Sequence, residues 1–122
     1  MIRWDAPFFV YILASRPYGT LYVGQTNDLG RRVWEHLNAR VPGFTYRYKV
    51  SQLVWVEGWD GRRDAFRRER QIKAWKRAWK IRLIETQNPT WEDFGLRPEI
   101  TRRFAEARTR WTGDYSTWRP PA

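Results

Sequence analysis

The chain has 122 residues, with 23 Lys and Arg against 13 Asp and Glu, a formal charge of +10, and nine Trp. That length suits one domain with a real core, the aromatic content excludes a disordered basic tail, and no apolar run approaches the roughly 18 residues of a membrane span. With no Cys and one His, a disulfide framework, a thiol nucleophile and a His- or Cys-rich metal site are excluded.

The excess of positive charge favours a polyanionic partner, nucleic acid ahead of an anionic membrane surface. Of the basic residues 19 are Arg, whose planar fork suits phosphate and base edges. Arg-rich codon usage is the functionless account of the same bias.

Residues 8–14, Phe-Phe-Val-Tyr-Ile-Leu-Ala, have the look of a signal-peptide core. Asp5 cancels Arg3, Pro7 interrupts, and no small-x-small cleavage site follows. The run reads as a strand buried on both faces, and a cytoplasmic protein is expected. Pro17, Tyr18, Gly19 and Thr20 form a turn, with Gly supplying positive φ. Residues 21–25 make a second strand, antiparallel to the first. Asn27 or Asp28 caps a helix whose apolar stripe is Leu29, Val33 and Leu37, and Pro42-Gly43 ends it. Residues 44–51, where Arg47 and Lys49 alternate with Tyr46 and Tyr48, read as a loop or short helix.

Residues 53–57 form a third strand. Asp60 caps a long helix over 62–77 that continues through 79–84 after a kink, and Asn88-Pro89 stops it. Residues 91–94 make a short helical turn. Pro98 starts a last helix over about 98–111, with Ile100, Phe104, Ala107 and Trp111 on one face. That face either packs on the core or makes a dimer contact. Residues 113–122 have no periodicity. The order β-β-α-β-α-α implies a small α+β (α/β) sandwich with a mostly antiparallel three-stranded sheet, a domain over 1–94 and an extension over 95–122.

Three placements bear on chemistry. Arg32 and His36 are neighbours at i and i+4 on the first helix, at the edge of its apolar stripe. Glu69 falls on the stripe of Ala65, Phe66, Ile72, Trp75 and Trp79. A carboxylate there must be paired, hydrogen-bonded or bound to a metal, and the ordinary account is an ion pair with Arg32 or Arg68. Tyr11 and Tyr22 come close on one sheet face if the strands pair, as core aromatics also do.

Phe9-Val10-Tyr11, ten residues, then Tyr22-Val23-Gly24 resembles the paired signature of the GIY-YIG nuclease superfamily. The segment from Gln25 through Arg32 to His36, the run Arg67-Arg68-Glu69-Arg70 and Asn88-Pro89-x-Trp91 are similar to its first helix, its metal-binding helix and its closing Asn segment. The likeness is greatest to the small stand-alone bacterial members, and spans about residues 7–94. Phe9 stands in place of the first motif's Gly, and Gln25 where some members have Lys.

The resemblance implies a three-stranded antiparallel sheet flanked by helices, and hydrolysis of DNA phosphodiesters with one Mg²⁺ or Mn²⁺. It implies that Glu69 holds the metal, Tyr11 is the general base, and Tyr22 hydrogen-bonds within the site. It gives Arg32 the charge developing on phosphate, His36 a part in Tyr11's proton transfer, and Asn88 a place in the site. A Tyr base needs its pKa lowered by neighbouring positive charge, for which Arg32, His36 and the metal are the candidates. DNA contact is expected from Arg62, Arg63, Arg67, Arg70, Lys73, Arg77 and Lys80. Low sequence specificity is expected, with direction by DNA structure, as in repair or processing, or by a protein partner. The alternatives are a non-catalytic or partner-dependent binding module of the same fold, and an RNA-directed nuclease.

Overall fold

The computed structural model describes residues 2–38 and 48–104. The expected stop at Pro42-Gly43, the Tyr46-Arg47 stretch, the helical positions Ala107 and Trp111 and the tail 113–122 lie outside the described residues. Strands β1 (Phe8–Ala14), β2 (Leu21–Thr26) and β3 (Gln52–Trp59) form one sheet in the order β2-β1-β3, with both pairings antiparallel. The helices are α1 (Leu29–Leu37), α2 (Arg62–Lys73), α3 (Arg77–Gln87) and α4 (Pro98–Thr101), with a 3₁₀ turn at Phe94–Leu96. This is the α+β architecture expected from the sequence.

The central strand β1 is a continuous apolar run because both its faces are covered. Phe9, Tyr11 and Leu13 face a core shared with Leu29, Val33, Val56, Phe94 and Ile100. Val10, Ile12 and Ala14 face a second core with Ala65, Ile72, Ile84 and Trp91. Ile100 thus packs inside the chain and is not free for a dimer contact. Opposite Ile12 and Leu13 the register of β3 slips by one residue. The bulge turns Val54 and Trp55 to the same core, with Leu53 and Val56 in the other.

β3 is an edge strand, and side chains from the end of α3 and the turn after it cover that edge. Gln87 donates to the Val56 carbonyl and accepts from the Val56 N–H, at 2.8 and 3.0 Å. Asn88 Nδ2 donates to the Val54 carbonyl at 3.0 Å, and Asp93 Oδ1 accepts from the Leu53 N–H at 2.9 Å. Asn88 also caps α3, and its amide closes a two-way link with the Glu92 backbone at 2.8 Å.

Local chemistry explains most boundaries. Asp28 caps α1, its carboxylate accepting from the Arg31 N–H, and Pro98 opens α4. Six expectations need correcting. The helix expected over about 98–111 ends at Thr101, and the turn expected at 91–94 forms at Phe94–Leu96, since Trp91 takes a positive φ. The helix expected over 62–77 stops at Lys73: Trp75 packs back on the second core beneath the Arg68 guanidinium, and Lys76 is extended before α3 begins. Asp60 does not cap α2, because it pairs with Arg3 at 2.8 Å and Gly61 holds the cap position. Leu37, Phe66 and Trp79 are exposed: the buried stripe of α2 is Ala65, Glu69 and Ile72, and the break carries Trp79 out of phase. In the β1–β2 turn Tyr18 takes the positive φ, whereas Gly19 is needed because a Cβ there would strike Ser15 Oγ.

Asn88→Ala should destabilise the fold by about 1–3 kcal/mol for each buried group left unpaired, Val54's carbonyl first. Urea unfolding checks this. A loss below about 0.5 kcal/mol, the scale of a surface substitution, would mean that the Asn88 bonds do not hold the edge.

Candidate active site

Tyr11 sits mid-strand in β1 opposite Gly24 of β2, and is fully buried. Tyr22, two residues before Gly24, pairs with Leu13 and shares Tyr11's sheet face. The ring centroids are 6.4 Å apart. Gly24 makes this possible: a Cβ at that position would stand 2.5 Å from Tyr11 Oη and 2.6 Å from its Cζ. A glycine inside a strand often marks such close approach.

Helix α1 follows β2 after Asp28 and brings His36 to both rings, 5.6 Å from Tyr22 and 6.4 Å from Tyr11. Arg32, one turn earlier, has Nε and Nη1 buried without a hydrogen-bond partner among the described residues. Glu35, which the sequence reading missed, lies 3.6 Å from Arg32 and 3.9 Å from Arg31. Burial raises the Glu35 pKa, and both arginines oppose that rise.

Glu69 comes from α2, which packs against β1 and β2, and is 0% exposed. Its negative charge is close enough to raise the pKa of both phenols. Neither carboxylate oxygen takes a hydrogen bond from the described residues. Lys73 Nζ makes an ion pair with Oε1 at 2.5 Å. The partner is therefore neither Arg32 nor Arg68, and Arg68 pairs instead with Glu57 at 2.9 Å.

The electrostatics reverse one expectation. Burial raises Tyr11 well above the ordinary phenol value, and the opposing pull of Arg32 does not offset it. Burial likewise pushes Tyr22 up to about 12. His36 is pushed down to about 3 by burial, with Arg32 adding to the shift. At neutral pH His36 is an uncharged imidazole and brings no positive charge to Tyr11.

The structure thus gathers Tyr11, Tyr22, Arg32, His36 and Glu69. Asn88 is held at the β3 edge, beyond β1 from β2, with its amide committed to backbone groups. Of the expected DNA contacts, Arg62, Arg63, Arg67 and Arg70 are exposed on α2. Lys73 is engaged by Glu69, Arg77 donates to the Tyr18 carbonyl, and Lys80 is partly buried.

What the chain offers a cation here is one buried carboxylate, with Oε1 paired to Lys73 and Oε2 taking no hydrogen bond from the described residues. Among the described residues no group of three or more His, Cys, Asp or Glu could hold a metal ion. A hard ion such as Mg²⁺ fits this supply, since it commonly binds through one or two carboxylates plus phosphate and keeps several waters.

A paired-tyrosine sheet with Arg and His from the next helix and a buried Glu from the one after is the arrangement that the resemblance to the GIY-YIG nuclease superfamily implies. Residues 7–82 match the GIY-YIG catalytic domain, and the chain belongs to that family. It is similar to a UPF0213 protein of Staphylococcus saprophyticus, 33% identical over 76 residues, which are 62% of this chain and 92% of the relative. UPF0213 proteins of Staphylococcus epidermidis and Staphylococcus aureus are 32% and 34% identical over 77 residues, covering 63% of this chain and 93% of each relative. No solved structure matches the chain. No helix among the described residues is long and apolar enough to cross a membrane.

Two measurements check this geometry. Gly24→Ala should cost about 1–3 kcal/mol by overpacking, read by chemical unfolding; unchanged stability would show that the Tyr11 ring can swing aside. The second concerns His36. Its folded pKa of about 3 lies below its unfolded value of 6.5, so the unfolded chain takes the proton first on acidification. The stability from a neutral His36 is present above pH ~6.5 and is lost as pH falls toward ~3, by up to about 1.4 kcal/mol per unit. His36→Gln should flatten that acid limb; parallel wild-type and variant curves would contradict it.

Proposed function

We propose that the chain is a divalent-metal-dependent DNA endonuclease of low sequence specificity. The observation that supports this most is Glu69, a fully buried carboxylate that takes no hydrogen bond from the described residues, has Lys73 as its ion-pair partner, and lies close enough to Tyr11 and Tyr22 to shift both phenols, as Arg32 also does. Burying such a group is expensive for a structural role alone.

Glu69 would hold Mg²⁺ or Mn²⁺, which supplies a Lewis acid for the phosphoryl oxygen and counter-charge for the leaving oxygen. Arg32 sets its planar fork on the phosphate, where negative charge grows as water attacks. Tyr11 Oη takes a proton from that water as its own proton passes toward neutral His36. The imidazolium is disfavoured by burial and by Arg32, and a bound negative phosphate would shift that balance. Tyr22 stays a phenol and donates a hydrogen bond within the site. A water–phosphorus bond forms and the bond to the leaving strand breaks; the leaving oxygen takes a proton from solvent, and His36 later returns its proton to solvent, giving one phosphomonoester end and one hydroxyl end.

The test is cleavage of labelled duplex, single-stranded and branched DNA in Mg²⁺, Mn²⁺ or EDTA. Wild type should cut only with metal. Glu69→Gln should cut at least about 10²-fold more slowly, and Arg32→Ala about 10²- to 10³-fold more slowly, as for loss of other transition-state donors. Binding without cutting on every substrate, unchanged by Glu69→Gln, would make the chain a binding module or a nuclease that needs a partner.

A further inference from the structure

Helix α2 carries a second function-bearing side. Its buried residues are Ala65, Glu69 and Ile72. Arg62, Phe66, Glu69, Arg70 and Lys73 fall at i, i+4, i+7, i+8 and i+11, so they run along one side of the helix. Five of the twelve residues of α2 are Arg. Within that polar side Phe66 is the apolar exception, 37% exposed, with the Arg70 guanidinium 5.6 Å from its ring centroid. It lies one helical turn, about 5.4 Å along the axis, from Glu69.

We infer that Phe66, backed by Arg70, is a stacking platform for one unpaired nucleobase of the DNA strand whose phosphate lies at Glu69. This rests on the nuclease reading above and names its substrate class. An exposed aromatic ring offers a flat apolar surface, which every base can match with its π face. The cations around it fit the strand's phosphates: Arg62, Arg63, Arg67 and Arg70 are all exposed on the same helix. In an intact duplex each base face is covered by its neighbours, so the ring selects a nucleotide that is unpaired or displaced beside the cut. Trp79 is more exposed, at 49%, but it stands on α3 edge-on to Trp75 and outside this row.

The test is binding, read by fluorescence anisotropy in EDTA so that no strand is cut. The probes are a labelled oligothymidylate of about 12 nucleotides, within the range one small domain covers, an abasic oligomer of the same length, and the matching duplex. Wild type should prefer oligothymidylate to the abasic strand by about tenfold, the scale of one stacked base. Phe66→Ala should bring that ratio to about 1 while leaving abasic and duplex binding unchanged, and Phe66→Trp should retain it. Thermal melting should match for all three proteins, since the ring is outside both cores. An unchanged ratio in Phe66→Ala, an equal fall on both strands, or loss of the ratio in Trp79→Ala instead would overturn the platform and leave the nuclease reading standing. Failure of wild type to bind any of the three probes would overturn the platform, and the metal-dependent cleavage assay decides the nuclease reading separately.

Discussion

The site depends on burying one carboxylate. Glu69 has no exposed surface and takes no hydrogen bond from the described residues, and Lys73 one turn on is its charge partner. Such a pair adds little net stability, because desolvation cancels much of the attraction. What it fixes is position. Ala65 and Ile72 are apolar neighbours on the same stripe, so α2 can seat against the sheet only with Glu69 pointing inward. The stripe therefore serves two ends, closing the second core and delivering charge to the tyrosines.

Around that carboxylate the other groups are held neutral. Burial keeps Tyr11 and Tyr22 as phenols and His36 as an imidazole. Arg32 is the cation among them, and Glu35 offsets part of its charge. A site of neutral donors and acceptors around one partly compensated Arg is suited to an incoming anion. A phosphate entering there changes the charge balance for every member at once, so the proton affinities of the ligand-free site do not carry over to the bound one.

Some of this was legible in the sequence because two demands agreed on the same residues. The run at 8–14 reads as a strand covered on both faces, and β1 has those bounds. Glu69 stood out as a charge on an apolar stripe, and it is buried. Other features depended on contacts distant in sequence. No Gly or Pro marks the break between α2 and α3, which Trp75 produces by packing against residues far along the chain. Asn88 was readable as a helix stop but not as the partner of a bulged carbonyl at Val54, since the bulge itself has no local signature. Phe66 lies one position from Ala65, about 100° around the helix, and that angle separates core from surface.

The covered edge of β3 has a consequence for how copies of the chain meet. An open strand edge is a template that recruits further strands, and through them fibres. Here Gln87, Asn88 and Asp93 act as a fourth strand made of side chains, taking up the backbone groups of Leu53, Val54 and Val56. An incoming strand would first have to break those bonds. The segment that ends α3 therefore works as a molecular selvedge along β3, keeping the sheet from growing sideways at that edge.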